Sequence, residues 1–346
     1  MQTTIHREAD RVWLKGVSGW SLHERPSSVH AAQAAVMQAV GEDLTYDYLL
    51  GVSGLAFRMQ VSKKTLCPSS PHAFCGYPCV ARSRESLPWQ LQVIEMKPEQ
   101  KESTQAARQA VVNSIERRVP VQYGNEEDGI IIGYQRKGEE WICLHPLRDR
   151  GQKPFVTSEW PWGVAVFGER KPHLATRREL AIGAMEQAVK MARTDEAEAY
   201  YLRFRAWDDY IVRLNAMDTA DDNTKSEALL GNAWIYQCLT SYRASAAYYL
   251  REVACDFESP VAAHLSHAAH LYERIAGEVL SDKEHMPPRI APFPGGPDDG
   301  KFWTAEMRRE QVRRLEAALP LEREAIGEIE VALYQITSGA EFRKNK

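Results

Sequence analysis

Three cysteines and one histidine lie close together in the segment CPSSPHAFCGYPC, where Cys67, Cys75 and Cys79 flank His72. Three thiols and an imidazole are the ligand set of a structural zinc site. The spacing of these residues is not that of a common zinc motif, and the sequence contains no CxxC pair. The alternative is a proline-ordered loop with partly buried thiols, and we assign no metal and no cofactor.

Three histidines recur at every third position near residue 267: His264, His267 and His270, with Glu273 one step further. Residues three apart on a helix are neighbours, so two imidazoles and a carboxylate on one face are a candidate metal site. The pattern lacks the HExxH context that makes such a site specific. The alternative is a polar seam between packed helices.

A third group of candidates combines an amide, a phenol and a guanidinium on one predicted helix: Asn232, Tyr236 and Arg243. They span about three helical turns and can share one face. An arginine surrounded by tyrosine and tryptophan suits an anionic or polyhydroxylated small molecule. The alternative is structural, a core that satisfies tyrosine hydroxyls and holds a buried Arg–Glu pair, with a partner among Glu322, Glu324 and Glu328.

Tryptophans at 141, 160 and 162 form a separate aromatic group, with Pro161 between the last two. Indole rings bury a large area, and a proline between two of them fixes their direction. We expect these side chains to pack at the sheet and at the domain junction.

Composition limits the class of protein. The formal net charge is -4 and the pI is about 6.2, which argues against a nucleic-acid binder with a basic face. No stretch approaches the ~18 apolar residues of a membrane span, and the N-terminus MQTTIHREADRVW has no apolar segment typical of a signal peptide. We therefore expect a cytoplasmic protein whose six cysteines are reduced.

Up to about residue 170 the hydrophobic period changes often, which is typical of mixed structure. Ser28 is a natural N-cap for the first helix and Gly41 a natural stop. The predicted helices are 29–40, 45–50 and 102–117; GLAFRMQV, VPVQYG, GIIIGYQRKGEEWICLHP and WGVAVFG are predicted strands, with a hairpin turn at Lys137-Gly138 and an irregular loop at 66–88.

From about Pro172 the pattern is helical throughout. The predicted helices are 176–193, 195–215, 223–256, 260–282 and 303–336, with a Pro/Gly-rich loop at 286–300. The sequence therefore predicts an α+β domain at 1–172, with an antiparallel sheet, followed by an all-helical bundle at 173–346.

Three segments of the first half, SVHAAQAAVMQAVG, LTYDYLLGVSGLAFRM and SIERRVPVQYGNEEDGIIIGYQRKGEEWICLHPLR, occur in that order. Together, over about residues 12–170, they resemble the papain-like fold of bacteriocin-processing peptidases and butirosin-type acyltransferases. The helical half resembles a region found behind such domains in uncharacterised bacterial proteins, which implies an architecture and no activity.

The resemblance places the catalytic positions of these families at residues of other types. Ser28, thirteen residues before Gly41, stands where the nucleophilic Cys is expected. Glu127 (or Asp128) stands where the His base is expected, and His145 where the orienting Asp or Asn is expected. These residues cannot perform Cys–His peptidase chemistry in those places.

Three functions stay open at this point. The first is a catalytically altered papain-like protein that binds a small molecule or assists biosynthesis. Its ligand site would be the interdomain cleft near Ser28, Glu127 and His145, with Asp128 among the ligand-binding residues. The second is a serine-dependent acyltransferase or amidase with Ser28, His145 and Glu127 as a rearranged triad, which implies an acyl-carrier partner. The third is a protein-interaction module that uses the acidic helical domain.

Overall fold

The computed structural model describes residues 3–95, 101–281 and 303–344. The chain forms two compact units, and the first consists of Met1–Leu49 and Ser83–Leu174. The second consists of Leu50–Arg82 and Ala175–Lys346. The sequence predicted two contiguous domains, whereas here the segment Leu50–Arg82 belongs with the helices. The predicted loop at 286–300 lies outside the described residues.

The first unit is built around an antiparallel sheet in the order β1-β2-β6-β5-β9-β4, with β7 and β8 joined to it through β6. Its strands are β1 (Thr4–Glu8), β2 (Arg11–Lys15), β4 (Trp89–Glu95), β5 (Val121–Gly124), β6 (Asp128–Gln135), β7 (Glu140–Leu144), β8 (Phe155–Thr157) and β9 (Gly163–Arg170). The predicted strands from VPVQYG onward are present, as is the turn at Lys137-Gly138, where both residues have positive φ. The sequence did not predict β1, β2, β4 or β8.

Strand β6 is the centre of this sheet because its run of Ile130, Ile131 and Ile132 is buried and β-branched. It pairs with β5, β2 and β7. Glycine is required at position 133, where β6 pairs with β2, because a Cβ there would lie 2.4 Å from the carbonyl oxygen of Val12. The β5–β6 hairpin is thereby held at a fixed place in the unit.

Helix α1 (Ser28–Ala39) is buried over its whole length except at Gln38. A helix that is buried on all sides packs within the core, here against β5 and β6. Ser28 is its first residue and Ser27 its N-cap, one position earlier than predicted. The helix ends before Gly41, which has a φ of +86°, as the sequence predicted.

The remaining helices before residue 175 are short or amphipathic: α2 (Tyr46–Val52), α3 (Val80–Ser86) and α4 (Lys101–Glu116). Helix α3 interrupts the segment 66–88 that the sequence predicted to be irregular. The predicted strand GLAFRMQV is wrong over most of its length, because Leu55–Phe57 form a 3-10 turn and only Gln60–Ser62 form a strand, β3.

The second unit is mainly helical: α5 (Arg177–Ala192), α6 (Arg203–Ala216), α7 (Asp222–Ala254), α8 (Val261–Arg274), which continues as a π-helix over Ile275–Leu280, and α9 (Ala305–Lys344). It is not all-helical as predicted, since β10 (Glu196–Ala197), β11 (Tyr200–Leu202) and β3 form a small antiparallel sheet. Tyr200 and Tyr201 have high strand propensity, and β11 pairs with β3 instead of extending α6.

Among the helices of the described ranges, none has the length and apolar character needed to cross a membrane.

Candidate functional site

The hydroxyl of Ser28 lies at the start of α1, facing the β5–β6 hairpin, and is 1% exposed. Its Oγ donates to Oε2 of Glu127 at 2.5 Å and accepts from the backbone N–H of Asp128 at 2.9 Å. Two of the predicted catalytic residues therefore do meet. The hydroxyl is fully bonded and shielded from solvent, which is the environment of a structural serine.

The Glu127 carboxyl is held in a mostly buried position where a charge is disfavoured. Burial raises the pKa of Glu127 to about 7, the hydrogen bond from Ser28 opposes that rise, and the nearby carboxyls of Asp128 and Glu126 add to it. Asp128 follows the same pattern: burial raises its pKa to about 6, against the hydrogen bond from Gln122. The loop thus carries two carboxyls that change charge near neutral pH.

Asp128, a predicted ligand-binding residue, has its carboxylate inside the unit. Its Oδ2 accepts from Nε2 of Gln122 at 2.5 Å, and the positive charge of Arg84 partly opposes the rise of its pKa that burial causes. The side chain is 5% exposed. Its observed contacts are structural ones within the first unit.

His145 lies beside Glu127 but bonds its backbone and not its carboxylate. Its Nε2 is 3.1 Å from the Glu127 carbonyl oxygen, and its Nδ1 accepts from the backbone N–H of Leu147 at 3.3 Å. This pattern places the proton on Nε2, and burial lowers the pKa of the ring, which keeps it neutral. Over the described parts of the chain, neither ring nitrogen hydrogen-bonds to Ser28, so the rearranged triad is not assembled.

Next to His145 the first unit has a pocket of about 580 Å³. We call it the aromatic pocket, because five aromatic residues line it: Tyr123, Trp141, Phe155, Trp160 and Trp162. Side chains two residues apart on a strand share a face, so Trp141, Cys143 and His145 all point to this side of the sheet. That alternation is visible in the sequence, yet these tryptophans were interpreted there as packing residues.

The rings of the pocket are held in defined positions. Trp141 and Trp160 have centroids 5.0 Å apart. Trp162 is 67% exposed, although its backbone N–H donates to the Gly124 carbonyl at 3.0 Å and fixes the segment to β5. An exposed indole on a fixed backbone at the edge of a pocket is available to stack on a bound molecule.

Asn232, Tyr236 and Arg243, predicted to bind a ligand, are buried in the second unit and bonded there. Asn232 Oδ1 accepts from the Tyr210 hydroxyl at 2.6 Å, and the Tyr236 hydroxyl donates to the Leu280 carbonyl at 2.9 Å. This is the structural alternative that the sequence left open.

Arg243 has a partner for each side of its guanidinium. Nε and one terminal nitrogen donate to the two carboxylate oxygens of Glu322 at 2.7 and 2.8 Å. The other terminal nitrogen donates to the carbonyl oxygens of Ala56 and Arg58. Arg243 therefore links three segments of the second unit, and Glu322 is the partner among the three glutamates considered.

The backbone of the cysteine-rich loop is bonded by the guanidinium of Arg58. This guanidinium donates to four backbone carbonyls, those of Pro71, His72, Cys75 and Tyr77, at 2.8–3.0 Å. All six cysteines are free thiols. Within the described residues, no three His, Cys, Asp or Glu side chains are grouped as ligands for a metal ion.

The histidines of α8 lie at a polar seam with α9. His264 Nδ1 is 2.5 Å from Glu328 Oε2, and His267 Nδ1 is 3.2 Å from the other oxygen of that carboxylate. His270 is largely exposed, 3.9 Å from Glu273 on its own helix. The arrangement agrees with the polar seam that was the alternative to a metal site.

The protein is thus a two-unit mixed α/β chain with an aromatic pocket in its first unit. No family model matches the sequence, and no curated protein matches it either, so the function is inferred from the geometry alone.

Proposed function

We propose that the chain is a catalytically altered papain-like protein that binds a small molecule in the aromatic pocket. The observation that carries the proposal is the pocket itself. Its volume of about 580 Å³ lies in the range of ~300–1,000 Å³ typical of small-molecule sites. His145 forms part of its wall.

The environment of Ser28 favours binding over catalysis. A serine nucleophile needs a base that can take its proton and a path by which substrate reaches it. Ser28 is 1% exposed, and His145 is bonded to a backbone carbonyl. On this proposal, the first unit is a papain-like domain in which structural hydrogen bonds take the place of the catalytic ones.

A metabolite screen by thermal unfolding tests the proposal. A ligand at 100 times its Kd stabilises the folded state by about 2.7 kcal/mol, which raises Tm measurably. Trp162→Ala is expected to abolish the stabilisation by each hit while leaving the unliganded Tm nearly unchanged, since this side chain is mostly exposed.

Tyr334→Ala is the matched control, because Tyr334 is a 72% exposed aromatic residue on α9 in the second unit. Hits that stabilise the wild type and Trp162→Ala equally would place binding outside the aromatic pocket and contradict the proposal.

One observation favours a second candidate, acyl transfer through Ser28. Glu127 is hydrogen-bonded to Ser28 at 2.5 Å and its pKa is raised to about 7, which suits a general base at neutral pH. In such a step Oγ attacks the carbonyl carbon of an acyl thioester, Glu127 takes the hydroxyl proton, and the thiolate leaves and is protonated. The natural donor would be an acyl-carrier protein.

Incubation with S-acetyl-N-acetylcysteamine, followed by intact-mass analysis, tests this candidate. Acylation predicts a gain of one acetyl group in the wild type and in Ser27→Ala, and none in Ser28→Ala. Ser27 is a matched control because it is also buried at the start of α1. If the binding proposal is right, we expect none of the three proteins to gain an acetyl group.

A further inference from the structure

The charges around the aromatic pocket are unequal in sign. Two carboxylates, Glu126 and Glu159, line it, together with one guanidinium, that of Arg148. His145 contributes no charge, because its neutral ring donates to a carbonyl. The lining therefore carries a net negative charge at neutral pH, where a cationic ligand would be favoured.

Neither of these carboxylates is neutralised by the chain. In the part of the chain that the structure describes, Glu126 and Glu159 form no ion pair with a lysine, arginine or histidine, although other carboxylates of the first unit do, such as Glu42 and Glu116. Arg148 lies over the ring of Phe155, 4.4 Å from its centroid. Two exposed carboxylates thus stay available to a molecule from solution.

The aromatic rings of the pocket also attract cations. The face of an aromatic ring has a negative potential that draws cations, most strongly for tryptophan. Two guanidinium groups of the chain already use rings of this pocket, Arg148 on Phe155 and Arg108 on Trp160 at 5.5 Å. The exposed indole of Trp162 has no such partner in the described chain and lines the same pocket as the carboxylates.

Two buried donors at the pocket also lack a partner. Trp141 and Trp160 both line the pocket, and the Nε1–H of each is buried with no acceptor among the described residues. A buried N–H without an acceptor is unfavourable. An oxygen atom of a bound molecule would supply an acceptor once a shift of the neighbouring side chains exposed one of these N–H groups.

From these four features we infer that the ligand of the aromatic pocket is an organic cation, an amine or quaternary ammonium compound with a neighbouring hydroxyl or carbonyl oxygen. This inference rests on the proposed binding function. The ammonium group would lie against the ring of Trp162, which carries no guanidinium, with Glu126 and Glu159 in the same pocket lining.

A matched series of probes separates charge from shape. Choline, 3,3-dimethylbutan-1-ol and 3,3-dimethylbutanoate have nearly the same branched head with a positive, neutral and negative net charge. Titrations of the full chain are followed by tryptophan fluorescence. We expect choline to bind about tenfold or more tightly than the alcohol, since cation–π and carboxylate contacts act only on the cation.

The double variant Glu126→Gln/Glu159→Gln is expected to lose most of this preference, with the far-ultraviolet circular dichroism unchanged. Glu139→Gln, at an exposed carboxylate in the β6–β7 turn, is the matched control and should keep the full preference. Raising the salt concentration should weaken choline binding and leave that of the alcohol unchanged.

Equal affinity for choline and the alcohol, or tighter binding of the carboxylate, would overturn the cation inference while small-molecule binding stands. If none of the three probes binds up to its solubility limit, the cation inference is overturned as well. The proposed binding function is contradicted as well only if the metabolite screen also gives no hit.

Discussion

Replacing Arg243 with methionine is expected to lower the free energy of unfolding of the second unit by about 3–5 kcal/mol. The change leaves the Glu322 carboxylate buried without its cation, and it removes the donors to the carbonyls of Ala56 and Arg58. Both side chains of the ion pair are almost wholly shielded from solvent. Urea unfolding followed by circular dichroism measures the loss.

Arg251→Met is the matched control on the same helix. Arg251 pairs with Glu273 at 2.8 Å, but both side chains are more than half exposed, and such pairs contribute ~1 kcal/mol or less. The double variant Arg243→Met/Glu322→Leu should recover much of the loss, because it removes the uncompensated charge. Equal effects of Arg243→Met and Arg251→Met would show that Arg243 is not a structural centre of the unit.

Glu127→Gln is expected to stabilise the protein at about pH 8 and to change little at about pH 4. The folded-state pKa of Glu127 is raised to about 7 from an ordinary value of 4.5. The protonated carboxyl is therefore favoured by folding. Its stabilising contribution is present below about pH 4.5 and is lost as the pH rises through about 7.

The expected gain at alkaline pH is at most about 3 kcal/mol, from 1.36 kcal/mol for each unit of pKa. Glutamine keeps an acceptor for the Ser28 hydroxyl without carrying charge. Asp128, whose pKa is raised to about 6, gives the wild type a slope of the same sign. The difference between wild type and Glu127→Gln isolates Glu127.

Denaturant unfolding at several pH values checks this, with Glu139→Gln as the exposed control. If Glu127→Gln raised the free energy of unfolding equally at all pH values, ionisation of Glu127 would not be what destabilises the folded state. A loss at alkaline pH would mean that the ionised form is the one that the fold favours, which would contradict the raised pKa.

Local signals allowed parts of the fold to be predicted. Gly41 ends α1 because its positive φ is costly for other residues, and the β5–β6–β7 region follows from buried β-branched runs. Strand β4 was missed because WQLQVIE is a half-exposed strand that follows directly on α3. Tyr200 and Tyr201 were assigned to a helix because their pairing partner β3 lies far away in the sequence.

The site was only partly predictable for the same reason. A helix start at Ser28 and a hairpin at Glu127 are each local features, but their meeting across the chain was expected only from the papain-like resemblance. His145 bonds the backbone carbonyl of Glu127 and not its carboxylate, and residue spacing does not predict which of the two it reaches. The aromatic pocket combines residues of four strands and three loops, so its tryptophans could not be distinguished in the sequence from ordinary core residues.

The division of the chain has a consequence for its synthesis. A ribosome makes Leu50–Arg82 well before Ala175–Lys346, the rest of the same unit. Until α7 emerges, the carbonyls of Ala56 and Arg58 have no guanidinium to bond, and β3 has no β11 beside it. During translation, Leu50–Arg82 therefore lacks its bonding partners until the later helices are made. In a fragment ending at residue 172, the edge of β3 would stay unpaired permanently.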